Sequence, residues 1–400
     1  MSGTTSGTAH ARALATLLLL AVWASYLSLG LKYAAILSAA LCAALLLRRQ
    51  AWVGLRHAPG LAATVLLLGW LATTALWSPA PWRLIGGHLW MYGLLLLVPL
   101  IASACRPAVA RRCLQHFAIV SALVGTLFIV AGAGLLPTLP VAWHTTVDAE
   151  GNQRIATSIL LALGACLALW HALNPGSAVR WGWAVAGSAS LAGVALQDRR
   201  TGMLLLPVLL LAWALARQPT WGRRLTVAAA IGLAALAAWQ VSDGVRARFA
   251  EGLTELRQFT SDDRVANSWG QRLRMWERTA EMVQERPLTG HGLGSWQSLW
   301  QQRVTPGTAL IEHTTPHNEY LLLAQQAGAL GVGLWLWLLI GSLRRAMGAG
   351  ASGVPALMVW TALAWVGLFN AVLRDAKFSL PLLLLAALAV AAARDESRAS

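Results

Sequence analysis

Charge is what this chain lacks most. Only 12% of its 400 residues are Asp, Glu, Lys or Arg, against 57% apolar. Soluble domains carry about a quarter charged residues, so a string of soluble domains is excluded. Lysine is nearly missing: Lys32 and Lys377 are the only two among 31 basic residues. Cysteine is scarce as well. Cys42, Cys105, Cys113 and Cys166 lie in apolar runs or at their ends, which implies neither a disulfide framework nor a zinc site. No Asp-x-Asp metal motif occurs, and nothing in the chain calls for a cofactor.

What fills the sequence instead is apolar runs of roughly 17 to 25 residues, enough to cross about 30 Å of hydrocarbon as helix. Twelve spans are expected, centred on 12–30, 33–47, 59–78, 84–104, 114–135, 155–173, 181–197, 202–216, 225–241, 319–341, 354–372 and 376–393. Arg12 ahead of the first run resembles a secretory signal, but further spans follow at once and favour a retained helix. The fold expected is an all-α polytopic integral membrane protein.

A net charge of +15 would suggest nucleic acid in a soluble protein. Here the cations sit in every second connection. Arg48, Arg49 and Arg56 come first, then Arg106, Arg111 and Arg112, then Arg180. Arg217, Arg223 and Arg224 follow, then Arg344 and Arg345, and Arg394 and Arg398 close the chain. The positive-inside rule makes those connections and both termini cytoplasmic. No nucleic-acid partner is expected; membrane lipids are.

The division that follows is 1–241 for spans one to nine, 242–316 for an outer segment and 317–400 for spans ten to twelve. The outer segment holds nine of the 16 acids and nine of the 31 basic residues. Within it, "SWGQRLRMWERTAEMVQERP" predicts an amphipathic helix, capped by Ser268 with Gln271 and stopped by Pro287. Leu273, Trp276, Ala280 and Val283 form its apolar face, while Arg274, Arg278, Glu277, Glu281 and Glu285 read as a solvated side. Gly290, Gly292 and Gly294 then alternate around His291, as in a plain loop or an anion-binding nest.

Some cations face the side that should have few. In "LQDRRTG", Asp198, Arg199 and Arg200 occupy the junction between spans seven and eight. Interfacial charges of this kind face a cavity or a partner; snorkelling with Asp198 explains one arginine better than two. Arg83, Arg154, Arg374 and Lys377 also face outward and read singly as interface anchors. At the outer end of span ten, Pro316 precedes His317, Asn318 and Glu319, with His313 nearby. A histidine at a helix start loses basicity to the helix dipole, which favours a neutral ring able to accept a proton.

These residues carry a family resemblance. "HNEYLLLAQQAGALG" is His-Asn, nine residues, Gly, two residues, Gly, and it resembles the signature of the O-antigen ligase and polymerase superfamily of bacterial membrane glycosyltransferases. "RLRMWERTAEMVQERPLTGHGLGSW" is similar to the family's Arg-x-x-x-Trp helix followed by spaced glycines, through Arg272, Trp276, Gly290, Gly292 and Gly294. "DRRTG" matches its span-junction arginine best at Arg200.

The resemblance implies a GT-C-like fold in the bacterial inner membrane with the active site facing the periplasm. It also implies an undecaprenyl-pyrophosphate-linked glycan donor and, for a ligase, a lipid A–core acceptor. On that basis His317 is the general base, and Arg200 and Arg272, with Arg199 as auxiliary, bind pyrophosphate without metal. Asn318, Glu319, Trp276 and the three glycines support them. The alternatives within the superfamily are a polymerase or a protein O-oligosaccharyltransferase. A polytopic anion or solute transporter is the alternative of another class, and a scaffold a third.

Overall fold

The computed structural model describes residues 3–49, 52–135, 146–147, 149–173, 178–197, 199–217, 220–241, 243–257, 259, 262–265 and 267–394. Asp198 and Arg398 lie outside them. Among the described residues the chain is helical with no strand. In order the helices are α1 (Gly3–Ala24), α2 (Leu29–Arg49), α3 (Val53–Arg56), α4 (Leu61–Thr74), α5 (Trp82–Gly93) and α6 (Leu97–Ala104). Next come α7 (Pro107–Gly132), α8 (Gly151–Ala172), α9 (Arg180–Gln197), α10 (Arg200–Arg217) and α11 (Trp221–Val241). After α12 (Asp243–Arg257), α13 (Ser268–Glu285) and α14 (Ser295–Gln301), the chain ends in α15 (Glu319–Gly348), α16 (Val354–Val366) and α17 (Ala376–Ala392).

Each predicted apolar run falls on helix. Five stretches are long and apolar enough to cross a membrane by length and composition: Leu29–Arg48, Trp82–Ala104, Pro107–Gly132, Gly151–Ala172 and Glu319–Gly348. Five shorter apolar helices accompany them, and the chain is a multi-pass membrane protein. α17 is its axis. Its Leu/Ala sequence is apolar on every side, the pattern of a helix enclosed by others, and all residues from Phe378 to Ala389 are buried. It packs on α6, α7, α2 and α16.

A second, smaller core lies outside this bundle, where Met275, Met282, Trp296, Trp300, Val304 and Leu310 pack together with Leu322 and Ala371. Trp296 and Trp300 stack at 5.0 Å, and their indole N–H groups donate to Thr279 Oγ1 and the Leu310 carbonyl. This corrects the apolar face expected for α13. Its buried stripe is Met275, Thr279 and Met282, because α14 and residues 302–311 fold back over it. Arg274 is buried as well, held by Asp263 at 2.7 Å and Glu277 at 2.7 Å. The helix is capped by Asn267, whose Oδ1 accepts from Gly270 N, and not by Ser268.

Candidate functional site

α15 begins later than the sequence suggested. Asn318, not His317, is its N-cap: Oδ1 accepts from Leu321 N at 3.0 Å, and Nδ2 donates to the Leu368 carbonyl at 3.0 Å. Glu319 N donates to the Gly367 carbonyl. His317 therefore sits one residue before the cap, with φ at 50°. A non-glycine residue there costs about 1–3 kcal/mol and persists only when its surroundings hold it. Those surroundings are identifiable. Trp276 Nε1 donates to the Pro316 carbonyl at 2.9 Å, so α13 pins the strap just ahead of His317. Trp276 in turn lies against Trp269 and Phe369.

The ring's electrostatics follow from this placement. Burial, then the charges of Arg272 and His313, push the His317 pKa down to about 3, so the free imidazole is neutral. His313 meets it edge-on, with centroids 5.4 Å apart.

Arg272 lies beside the Trp269 ring, 6.0 Å from its centroid. Its own pKa is lowered by burial and by Arg200, with Glu255 acting in the opposite direction. Arg200 is held by Glu251 at 2.9 Å and Glu255 at 3.3 Å, and Glu255 also accepts from Trp269 N. Thus α10, α12 and α13 converge on one cation cluster that extends to His317. Arg199 points elsewhere, toward Arg154 and Glu150; burial is the main cause lowering its pKa.

His317 and His313 open onto a cavity of about 420 Å³ also lined by Asn152, Arg374 and Asp375. Asn152 Nδ2 donates to Asp375 Oδ2 at 2.7 Å. Arg374 reads from sequence as a plain interface anchor; the structure brings it into the same cavity as His317, and its outward charge was the one available signal. Glu319 does not face a substrate space. It is fully buried, accepting from Tyr92 Oη and Leu373 N, each at 2.8 Å. It ties α5, α15 and the approach to α17 into the cavity wall.

The three glycines are not a nest. Their segment docks on α15 where that helix breaks at Gly328, with φ 64° and ψ −166°. The N–H groups of His291 and Gly292 donate to the carbonyls of Gln325 and Gln326, and Gly294 N donates to Gln326 Oε1. The N–H of Ala329 finds the Pro287 carbonyl. Backbone groups released by the kink are thereby satisfied, and none of these N–H donors is left for an anion. A Cβ at Gly290 would stand 2.5 Å from Ala327 N, so the spacing serves close approach.

Residues 185–336 match the family model described as O-Antigen ligase. No curated protein matches the chain. The matched stretch contains Arg199, Arg200, Arg272, Trp276, the glycine loop, His317 and Gly328. Through this stretch the chain is similar to the O-antigen ligase family.

Proposed function

We propose that the chain is an O-antigen ligase. It transfers a glycan from undecaprenyl pyrophosphate to a hydroxyl of lipid A–core oligosaccharide, at the periplasmic face of the bacterial inner membrane. The match of residues 185–336 to the O-antigen ligase family model supports the reaction class. The observation that carries the rest is the meeting of a neutral, strained His317 with Arg272 beside a polar cavity.

In this reading His317 takes the proton from the acceptor hydroxyl as that oxygen attacks the anomeric carbon. The carbon–oxygen bond to the pyrophosphate breaks, the electron pair leaves on phosphate, and the anomeric centre inverts. Arg272 and Arg200 stabilise the developing charge, a task that preorganised guanidinium groups perform in a low-dielectric site. Arg272 is the readier of the two: it has no ion pair among the described residues, whereas a phosphate must compete with Glu251 and Glu255 for Arg200. Arg199, beside Arg154, is auxiliary. Bound pyrophosphate would offset the cations that depress His317 and bring its pKa back toward the working pH, where a base is most effective.

The reading includes twelve spans, with both termini cytoplasmic, a GT-C-like arrangement, and residues 242–316 as a periplasmic unit between spans nine and ten. No metal enters the proposed chemistry. The test uses purified wild type and His317→Ala in nanodiscs with EDTA, supplied with lipid-linked O-antigen and lipid A–core. Transfer by the wild type, with a loss of about 10²- to 10⁴-fold in the variant, supports the ligase. Lengthened lipid-linked donor would make it a polymerase, glycan on protein serine an oligosaccharyltransferase. Counterflow of a solute without transfer would make it a transporter.

A further inference from the structure

A second site lies at the other end of the bundle. α17 starts beside Asp375, which lines the His317 cavity, and runs to Arg394, which lines a separate pocket of about 150 Å³. A helix of that length rises about 28 Å at 1.5 Å per residue, close to the roughly 30 Å of hydrocarbon in a bilayer. The late turns of α15 and the early turns of α4 and α16 close the same pocket through Arg345, Thr64 and Ala356.

Polarity is divided inside it. Leu95, Val98, Leu338 and Val390 form an apolar wall, and Arg345 and Arg394 supply two cations. Arg394 is partly engaged: its Nη1 donates to the Ala102 carbonyl at 2.6 Å, at the end of α6. Arg345 is exposed and has no ion pair among the described residues. Its Nη2 lies over Gly341 and beside Gly60, 3.6 and 3.7 Å from where a Cβ would stand at each. Arg56 and His57 line a neighbouring pocket of about 250 Å³, whose lining also includes Arg345. One donor is spare. Trp360 is buried on the wall of the first pocket, and its Nε1 finds no acceptor among the described residues. An unbonded buried N–H is costly, so a ligand that brings an acceptor is favoured.

We propose that this pocket seats an anionic phospholipid of the leaflet opposite the His317 cavity. Its phosphate lies on Arg345 and Arg394, an ester carbonyl accepts from Trp360 Nε1, and the first methylenes of an acyl chain cover the apolar wall. Basic pockets between membrane helices select anionic headgroups in this way. Free phosphate would leave the leucine and valine wall uncovered, and a zwitterionic headgroup would bring another cation to a cationic site. The lipid joins the far ends of α15 and α17, whose near ends lie at His317 and Asp375. It requires the membrane bundle and not the transfer reaction, so its failure leaves the ligase reading intact.

The first test is photolabelling of the wild type in nanodiscs with phosphatidylglycerol carrying a diazirine early in one acyl chain, mapped by peptide mass spectrometry. Labelling is expected on peptides holding Leu338 and Val390. Unlabelled phosphatidylglycerol should compete it away, whereas phosphatidylcholine and inorganic phosphate at matched concentration should not. The second test titrates phosphatidylglycerol into delipidated protein in detergent and reads half-saturation from the rise in melting midpoint. Arg345→Gln is expected to require about fivefold more lipid, the worth of one basic residue at an anionic lipid surface. Arg344→Gln makes the same charge change at an exposed neighbour that lines neither pocket, and is expected to keep the wild-type value.

Competition by phosphatidylcholine equal to that by phosphatidylglycerol overturns the recognition of charge. Competition by inorganic phosphate makes this a free-anion site and overturns the lipid. Labelling confined to other helices, or equal half-saturation in the two variants, overturns the pocket. The labelling uses the wild type alone, so it decides the matter even if Arg345→Gln does not fold.

Discussion

Trp276 and Pro316, 40 residues apart, are joined by an indole N–H to carbonyl hydrogen bond of 2.9 Å. The bond ends one residue from His317, and it is the direct link between the outer helix α13 and the strap that presents the histidine. Trp276→Phe keeps a ring against Trp269 and Phe369 and removes the donor. Stability is expected to fall by about 1 kcal/mol, the net worth of one such bond. A strap free to shift by about 1 Å loses on the order of 10²-fold in rate, so turnover should fall far more than the melting temperature does. An equal loss in both would mean that the bond only holds the fold.

The depressed pKa of His317 has two signed consequences. Its folded value, about 3, lies below the unfolded value of about 6.5. The unfolded chain therefore binds the proton first as pH falls, and stability present above pH 6.5 is lost progressively toward pH 3. Unfolding midpoints compared at pH 7 and pH 5 should drop less in His317→Gln than in the wild type. For activity, kcat/KM reports the free enzyme, so it should show no acid limb from His317 near neutrality. Removing the Arg272 cation in Arg272→Ala should raise the ring's pKa and move that limb upward.

The membrane helices were legible because length and apolarity are local properties, and α17 could be recognised by its lack of any polar face. The outer segment was harder. Helical spacing puts Leu273, Trp276, Ala280 and Val283 on the apolar face of α13, yet Met275, Thr279 and Met282 are the ones enclosed. Enclosure depends on Trp296, Trp300 and Leu310, which arrive from later in the chain. His317, Arg200 and Arg272, singled out in the sequence by residue type, lie in one neighbourhood. Neither the positive φ of His317 nor the entry of Arg374 into its cavity has a periodic signature.

Arg274 illustrates what hid in that segment. In sequence it resembles any charge on a solvated helix, but Asp263 reaches it from eleven residues upstream and closes a buried pair. Burial would raise the Asp263 pKa. Hydrogen bonds from Arg274 and from Thr305 N and Oγ1 outweigh that and hold it below the usual carboxylate range. Stability from this group is present above the unfolded pKa and lost as pH falls through the folded one. Asp263→Ala leaves a buried guanidinium with Glu277 alone, and the outer segment should lose about 3 kcal/mol or more. Hydrogen exchange in residues 262–311 would read this directly; unchanged protection there would show that Glu277 suffices.

The two glycines at 328 and 333 lie on the same helix and make opposite predictions. Gly328 occupies a φ/ψ region that is essentially glycine-only, and a Cβ there would stand 2.1 Å from the Leu288 carbonyl oxygen. That neighbour is backbone, fixed by the Ala329 N to Pro287 O bond and the stitches from His291 and Gly292. Gly328→Ala must therefore open the joint between α15 and the glycine loop. The expected cost exceeds the 1–3 kcal/mol of the strained backbone alone, with loss of folded protein in detergent. At Gly333 a Cβ meets nothing within 4 Å, and the residue lies inside regular helix. Gly333→Ala removes glycine's entropic penalty and should stabilise by up to about 1 kcal/mol. Thermal unfolding of the two variants side by side separates a joint from a helix: equal tolerance would mean that the kink at Gly328 carries no structural demand.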